Sequence, residues 1–164
     1  MKMLYSDDQI ENLTDKVLKF MFLNTGFSLY RYNQDIMNIL PNNIKQYIHD
    51  DLENDIKEMT ICIKNNCWTA ASLMSFRIYE KIIFFHIKYD LNQKRPKNLF
   101  IAIELLKRTF HKGFVDKQFQ EFMRLTRNKG VHTDKCFSKD EAYEIIDFTI
   151  WLVIFICSID VESD

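Results

Sequence analysis

Apolar residues recur along most of the chain at the three- and four-residue spacing of helices that bury one side. The first stripe is Ile10, Leu13, Val17, Leu18 and Met21. Ser6 precedes it as an N-cap and acidic residues fill the first turn, which predicts a helix over Asp7–Phe22. The pattern breaks over Asn24–Asn33, around Gly26, and Asp35–Leu40 reads as a short helix. Pro41 then takes a first helical position. Beyond it Ile44, Ile48, Leu52, Ile56, Met59 and Ile63 stand four, four, four, three and four apart, predicting one helix from Pro41 to Ile63. Asn65 and Asn66 interrupt, and a long helix follows over about Trp68–Tyr89, where Ala70 and Ala71 allow a neighbour close. Asn92–Asn98, with Pro96, is a polar loop. Leu99–Phe110 is a shorter helix ended near Gly113, and Val115–Arg127 another, with Phe119, Phe122, Met123 and Thr126 on one side. Gly130 stops it. Ser138 and Glu141 form a capping-box pattern that opens a last helix running to about Ile159.

Short connections imply antiparallel neighbours, so the pattern predicts an all-α, up-and-down bundle of about five helices. Residues 1–40 read as an N-terminal helical arm and 41–160 as the bundle. The length, 164 residues, fits a single domain, and three Gly and two Pro are too few for a many-turned β fold. Fourteen Phe predict a core dense in rings. The last helix carries two stripes, Ala142, Ile145, Ile146, Leu152, Val153 and Ile156 on one side and Phe148, Trp151, Phe155 and Ile159 on another. A helix apolar all round is buried all round, either as the centre of the bundle or against a partner. Its most apolar part, Phe148–Ile159, has twelve residues, too few to span a bilayer, so no membrane partner is expected. The acidic start, MKMLYSDDQIENL, is unlike a signal peptide. Cys62, Cys67, Cys136 and Cys157 then read as reduced thiols of a cytoplasmic protein.

Charge narrows the function classes. With 22 basic and 23 acidic residues the net charge is −1, so nucleic acid would have to be held by a local basic patch. One stretch concentrates candidate chemistry: LTRNKGVHTD, in which Arg127 ends a helix, Asn128 follows, Gly130 turns the chain and His132 comes just past the turn. Arg127 and His132 make an R-x4-H pair. Imidazole titrates near neutrality and serves as proton donor or acceptor, and guanidinium offers phosphate a fixed, permanently charged fork. Arg124, one turn before Arg127, with Lys129 and Lys135, supplies further candidate phosphate ligands. The structural alternative is that Arg127 pairs with a carboxylate at the helix end and His132 packs in the turn.

RNKGVH, set between a helix and a final apolar helix, resembles the motif of the HEPN superfamily, the higher eukaryotes and prokaryotes nucleotide-binding domains. IKNNCWTAASLMSFRIYEKIIFF resembles the helix–break–helix of a branch common in prokaryotic defence and restriction proteins, where a small-residue run precedes an Arg and a Glu three apart, here Arg77 and Glu80. The resemblance covers roughly residues 45–160. It implies an all-α bundle that dimerises, so that the R-x4-H segments of two subunits form one cleft and cut RNA without a metal, leaving a cyclic phosphate. On that reading Arg127 binds phosphate and stabilises charge, His132 is the acid or base, and Asn128 orients the phosphate. A toxin or phage-defence effector follows, with RNA as substrate, an antitoxin or defence protein as partner, and no cofactor. Some members carry a modifiable Tyr two residues after the His; here that position is Asp134. Other members of the branch are non-catalytic scaffolds, which makes an interaction module the alternative.

The remaining candidates are weaker. Arg77 and Glu80 share a helical face, as an ion pair or with Glu80 holding Arg127 in place. Cys62, Cys67, His132 and Cys136 include zinc-ligand types at loose spacing, and buried thiols are the expected outcome. His86, within FFHIK, reads as a core or boundary histidine, while His49 and His111 lie in polar, exposed surroundings. There is no Gly-rich phosphate loop, no G-x-S-x-G and no H-E-x-x-H.

Overall fold

The computed structural model describes residues 6, 8–15, 35–40, 42–108, 110, 112–127 and 136–163. Every regular element among them is helical. After helical residues 8–15 come α1 (Ile36–Ile39), α2 (Asn42–Lys45), α3 (Asp50–Lys64), α4 (Trp68–Phe85), a wider π-helical turn over His86–Asp90, α5 (Leu99–Leu106), α6 (Lys112–Arg127) and α7 (Lys139–Ser163). The chain is therefore the all-α bundle that its spacing predicts.

The caps follow from the sequence. Ser6 and Gln9 exchange backbone-to-side-chain bonds of 2.9 and 3.3 Å, and Ser138 and Glu141 do the same at 2.9 and 3.3 Å. Asp35 accepts from the Met37 amide at 3.0 Å and opens α1, and Asn98 accepts from Ile101 at 3.0 Å and opens α5. At the end of α3, Asn66 turns left-handed (φ 57°), so Cys67 N–H reaches the Cys62 carbonyl at 2.8 Å. Asparagine tolerates this region better than most residues because its side chain bonds locally.

Several boundaries differ from the sequence expectation: the last helix runs to Ser163 rather than Ile159, and the helix expected over Trp68–Tyr89 widens to a π turn after Phe85. The helix expected over Pro41–Ile63 is two helices. Tyr47 and Ile48 bond three residues back, to Ile44 and Lys45, and His49 is extended (ψ 150°) before α3 begins. Asp50, Asp51 and Glu53 fill the first turn of α3, where the helix dipole favours them, so a fresh start there is favourable. The apolar spacing survives the break, and Ile44, Ile48, Leu52, Ile56, Met59 and Ile63 are all buried. Leu99–Phe110 closes early at Leu106, and Gly113 lies inside the first turn of α6 rather than between helices. Of the two alanines, Ala71 is buried and Ala70 exposed.

The four long helices alternate in direction. Asp55 meets Arg77 and Lys81 while Met59 meets Ser75, so α3 and α4 are antiparallel. Arg124 meets Glu144 and Phe114 meets Phe155, so α6 and α7 are antiparallel. Trp68 lies by Tyr143 and Thr149 donates to the Ser75 carbonyl at 3.4 Å, so α4 and α7 run parallel, as the second and fourth helices of an up-and-down bundle do. They touch directly because Ala71, Ser72, Ser75 and Thr149 are small and fully buried.

The last helix is central. Every residue from Thr149 to Cys157 is at most 7% exposed within the single chain, which decides between the two placements its sequence allowed. Its rings pack on those of α4 and α6: Phe148 lies 6.0 Å from Tyr79, which itself stacks on Phe122 at 3.7 Å, and Phe155 lies 5.3 Å from Phe114. Ile10, Leu13, Ile36, Met37 and Leu40 belong to the same core, so the described part of residues 1–40 is continuous with the bundle. No helix among the described residues is long and apolar enough to cross a membrane.

Candidate functional site

Arg127 is the last residue of α6, so the backbone delivers it to the mouth of the α6–α7 connection. Its side chain and that of Thr126 lie outside the described residues, as do Asn128, Lys129, Gly130, His132, Asp134 and Lys135. The connection returns at Cys136, and the Phe137 amide donates to Thr69 Oγ1 at 3.0 Å. That bond ties the start of α7 to the first turn of α4, at the same end of the bundle as the Asn65–Cys67 turn.

Arg124, a candidate phosphate ligand, is engaged by carboxylates. Its Nε and Nη2 donate to Glu121 at 2.9 and 2.8 Å, and Nη2 donates to Glu144 on α7 at 2.5 Å. The guanidinium in turn holds the Glu121 carboxyl below the usual range. Two carboxylates offset one cation, so Arg124 contributes little net positive field. Arg77 likewise has a partner other than the expected one. It pairs across the α3–α4 interface with Asp55 at 3.1 Å, where Lys81 also reaches Asp55 at 2.6 Å, and Glu80 is exposed. Asp55 is 3% exposed, so the pull of a buried carboxylate outweighs the surface pairing of residues three apart.

A pocket of ≈ 520 Å³ lies between the polar side of α6 and α7. Lys117, Gln118, Gln120, Glu121 and Arg124 line it from α6, Phe148 and Trp151 from α7, and Thr14 from the first helix. On two of these lining residues, Thr14 Oγ1 and Trp151 Nε1 are buried with no hydrogen-bond partner among the described residues. A polar group so left costs ~1–3 kcal/mol. Lys117 is exposed and has no ion-pair partner among the described residues. Beside the pocket, burial pushes the Asp147 carboxyl up to about 7. Sequence reasoning missed this place because it tracked the apolar side of α6. The signal was the opposite side, a run of amides and cations facing the second, aromatic stripe of the last helix.

Among the described residues the thiols and histidines form no catalytic cluster. Cys157 is buried, Cys62 half-buried, and Cys67 and Cys136 exposed, so the expectation of buried thiols holds for one of the four. Burial raises the Cys62 pKa, which keeps that thiol protonated. No group of three or more His, Cys, Asp or Glu is gathered for a metal among the described residues. His86 is in the core, 5.6 Å from Phe110, while His49 caps α3 beside Phe85 and Tyr89; His111 lies outside the described residues.

A second basic region occupies the far end of α4. Lys88, Lys94, Arg95 and Lys97 are exposed, and none pairs with a carboxylate among the described residues. Tyr89 (51%) and Phe100 (66%) expose their rings beside them. The 18 residues of α4 separate this bend from the α6–α7 connection by about 27 Å. Comparison with family models, with curated proteins and with solved structures finds no match to this chain.

Proposed function

We propose that the chain is a metal-independent endoribonuclease of the HEPN type, a toxin or phage-defence effector of the cytoplasm that acts as a homodimer. The observation that supports this reading most is the sequence at the end of α6, where the helix stops on Arg127 and passes at once into the stretch bearing Asn128 and His132. RNA carries its own nucleophile. One His132 takes the proton of a 2′-hydroxyl, which attacks the adjacent phosphorus. The partner's His132 protonates the departing 5′-oxygen, and a cyclic phosphate and a 5′-hydroxyl result. Arg127 from each copy balances the charge that gathers on the phosphoryl oxygens, with Asn128 orienting them. A single imidazole per chain cannot be donor and acceptor in one step, which is the chemical reason for two copies. The unpaired cations and rings of residues 88–100 give a strand a second place to rest.

The test is cleavage of single-stranded RNA in the presence of a chelator. His132→Ala abolishes cleavage while its circular dichroism spectrum and melting temperature stay close to the parent's. A parent protein that cuts no RNA, with or without divalent metal, refutes the proposal.

One observation favours the alternative, a non-catalytic interaction or scaffold module. Ile61 (58%) and Leu73 (49%) are exposed. They lie at the same level of the α3–α4 hairpin, each about 200° around its helix from Met59 or Ser75, the residues that meet between the two helices. On that reading the contact surface is this hairpin rather than the aromatic side of α7, most of which packs against the chain's own helices. Charged substitutions at Ile61 and Leu73 then release a partner, and His132→Ala changes nothing.

A further inference from the structure

We propose that the pocket between α6 and α7 is the base-binding subsite of the same RNA site, taking one unpaired nucleobase against the rings of Phe148 and Trp151. The choice of RNA as ligand rests on the ribonuclease reading; the choice of a base rests on the pocket. Its volume, ≈ 520 Å³, lies within the range of small-molecule sites. Two aromatic side chains whose planes are 25° apart line it, and every base has a π face to lay on them.

The edges of the pocket make the ligand more specific. Trp151 Nε1–H is a donor only, and Thr14 Oγ1 donates or accepts; both lie buried in the pocket wall with no partner among the described residues. Trp151 is 7% exposed, so water does not readily serve it. A base brings ring nitrogens, carbonyl oxygens and amino groups in one plane, the complement of these two groups. An acyl chain or an aliphatic side chain would leave both unsatisfied. The charge also fits. Glu121 and Glu144 offset Arg124, which leaves Lys117 as the cation at the rim with no such partner among the described residues. That is what a nucleotide phosphate needs.

Position links the pocket to the proposed chemistry. Arg127 follows Gln120 by seven residues, so it returns to nearly the same angle around α6. It follows Arg124 by three, a rise of about 4.5 Å. A strand with one base in the pocket can therefore continue along α6 toward its last residue, Arg127, where the R-x4-H sequence begins.

The experiment uses the full chain labelled with nitrogen-15. Its two indole signals, from Trp68 and Trp151, are assigned with Trp68→Phe. Uridine and guanosine 3′-monophosphates are added to millimolar concentration, and RNA cleavage is assayed on the same preparation. The Trp151 indole signal is expected to move and saturate while that of Trp68 stays. Trp151→Phe keeps the ring and removes the donor, and lowers nucleotide affinity roughly fivefold by equilibrium dialysis. Phe148→Ala lowers it at least about fivefold through lost stacking. A Trp151 signal that does not move, or two variants that bind as the parent does, overturns the proposal. Cleavage with a static Trp151 signal removes the subsite and leaves the ribonuclease. Nucleotide binding without cleavage supports the subsite and removes the ribonuclease.

Discussion

Asp147→Asn should stabilise this protein, and by an amount that depends on pH. Asp147 sits on α7 one residue before Phe148, and burial raises its carboxyl from 3.8 to about 7. Between those values the folded chain keeps a proton that the unfolded chain has released. Unfolding therefore becomes easier as pH rises through this window, and the penalty is complete above about 7. Below about 4 both states are protonated and the penalty vanishes. Three units at 1.36 kcal/mol each set a ceiling of ~4 kcal/mol. Asp147 is only partly buried, and water relieves some of this, so about 2 kcal/mol is the expected gain for the amide at pH 8. Urea denaturation of parent and variant at pH 4, 6 and 8 measures it. The two midpoints should coincide at the acid end and separate steadily toward pH 8. A variant weaker than the parent at pH 8, or a gap that is the same at every pH, would refute the argument that desolvation governs this carboxyl.

Further perturbations test other parts of the fold. Asp55→Ala removes the buried acceptor of Lys81 and Arg77, whose cations turn to water, and should cost about 1–2 kcal/mol in urea melts. Arg124→Ala breaks a network whose members are 51% and 54% exposed, so the loss should stay below ~1 kcal/mol. Ser138→Ala removes the N-cap of α7 and should cost about 1 kcal/mol by thermal denaturation. Asn66→Ala forces a Cβ without a helpful amide into a left-handed turn and should also cost ~1 kcal/mol, whereas Asn66→Gly should not.

The apolar spacing was enough to read the helical class and nearly every core position of α3, because burial there follows a strict period. The Ser138–Glu141 box was legible from residue types, while the Ser6 cap was read without its Gln9 partner. The break at 46–49 was hidden because the apolar spacing continues through it, while the acidic cluster at Asp50–Glu53 that starts a new helix is a weaker signal. Gly113 misled for the opposite reason: glycine permits a turn but does not compel one, and the first turn of a helix tolerates it. Arg77 was matched to the nearest carboxylate in sequence, but its partner lies 22 residues away on α3, a pairing that only the packed hairpin creates. The pocket was invisible for the same reason, since it belongs to three helices and to no single run of residues.

Between Thr149 and Cys157 the chain has almost no wet side, so it has hardly a position where drift is harmless. A methyl gained there must be given up by a neighbour on α4 or α6, because packed interiors admit little spare volume. In lineages that share this fold, changes in that nonapeptide should arrive as compensating pairs across the helix contacts. The polar side of α6 is under no such restraint, so whatever stays constant there is kept for a reason other than packing.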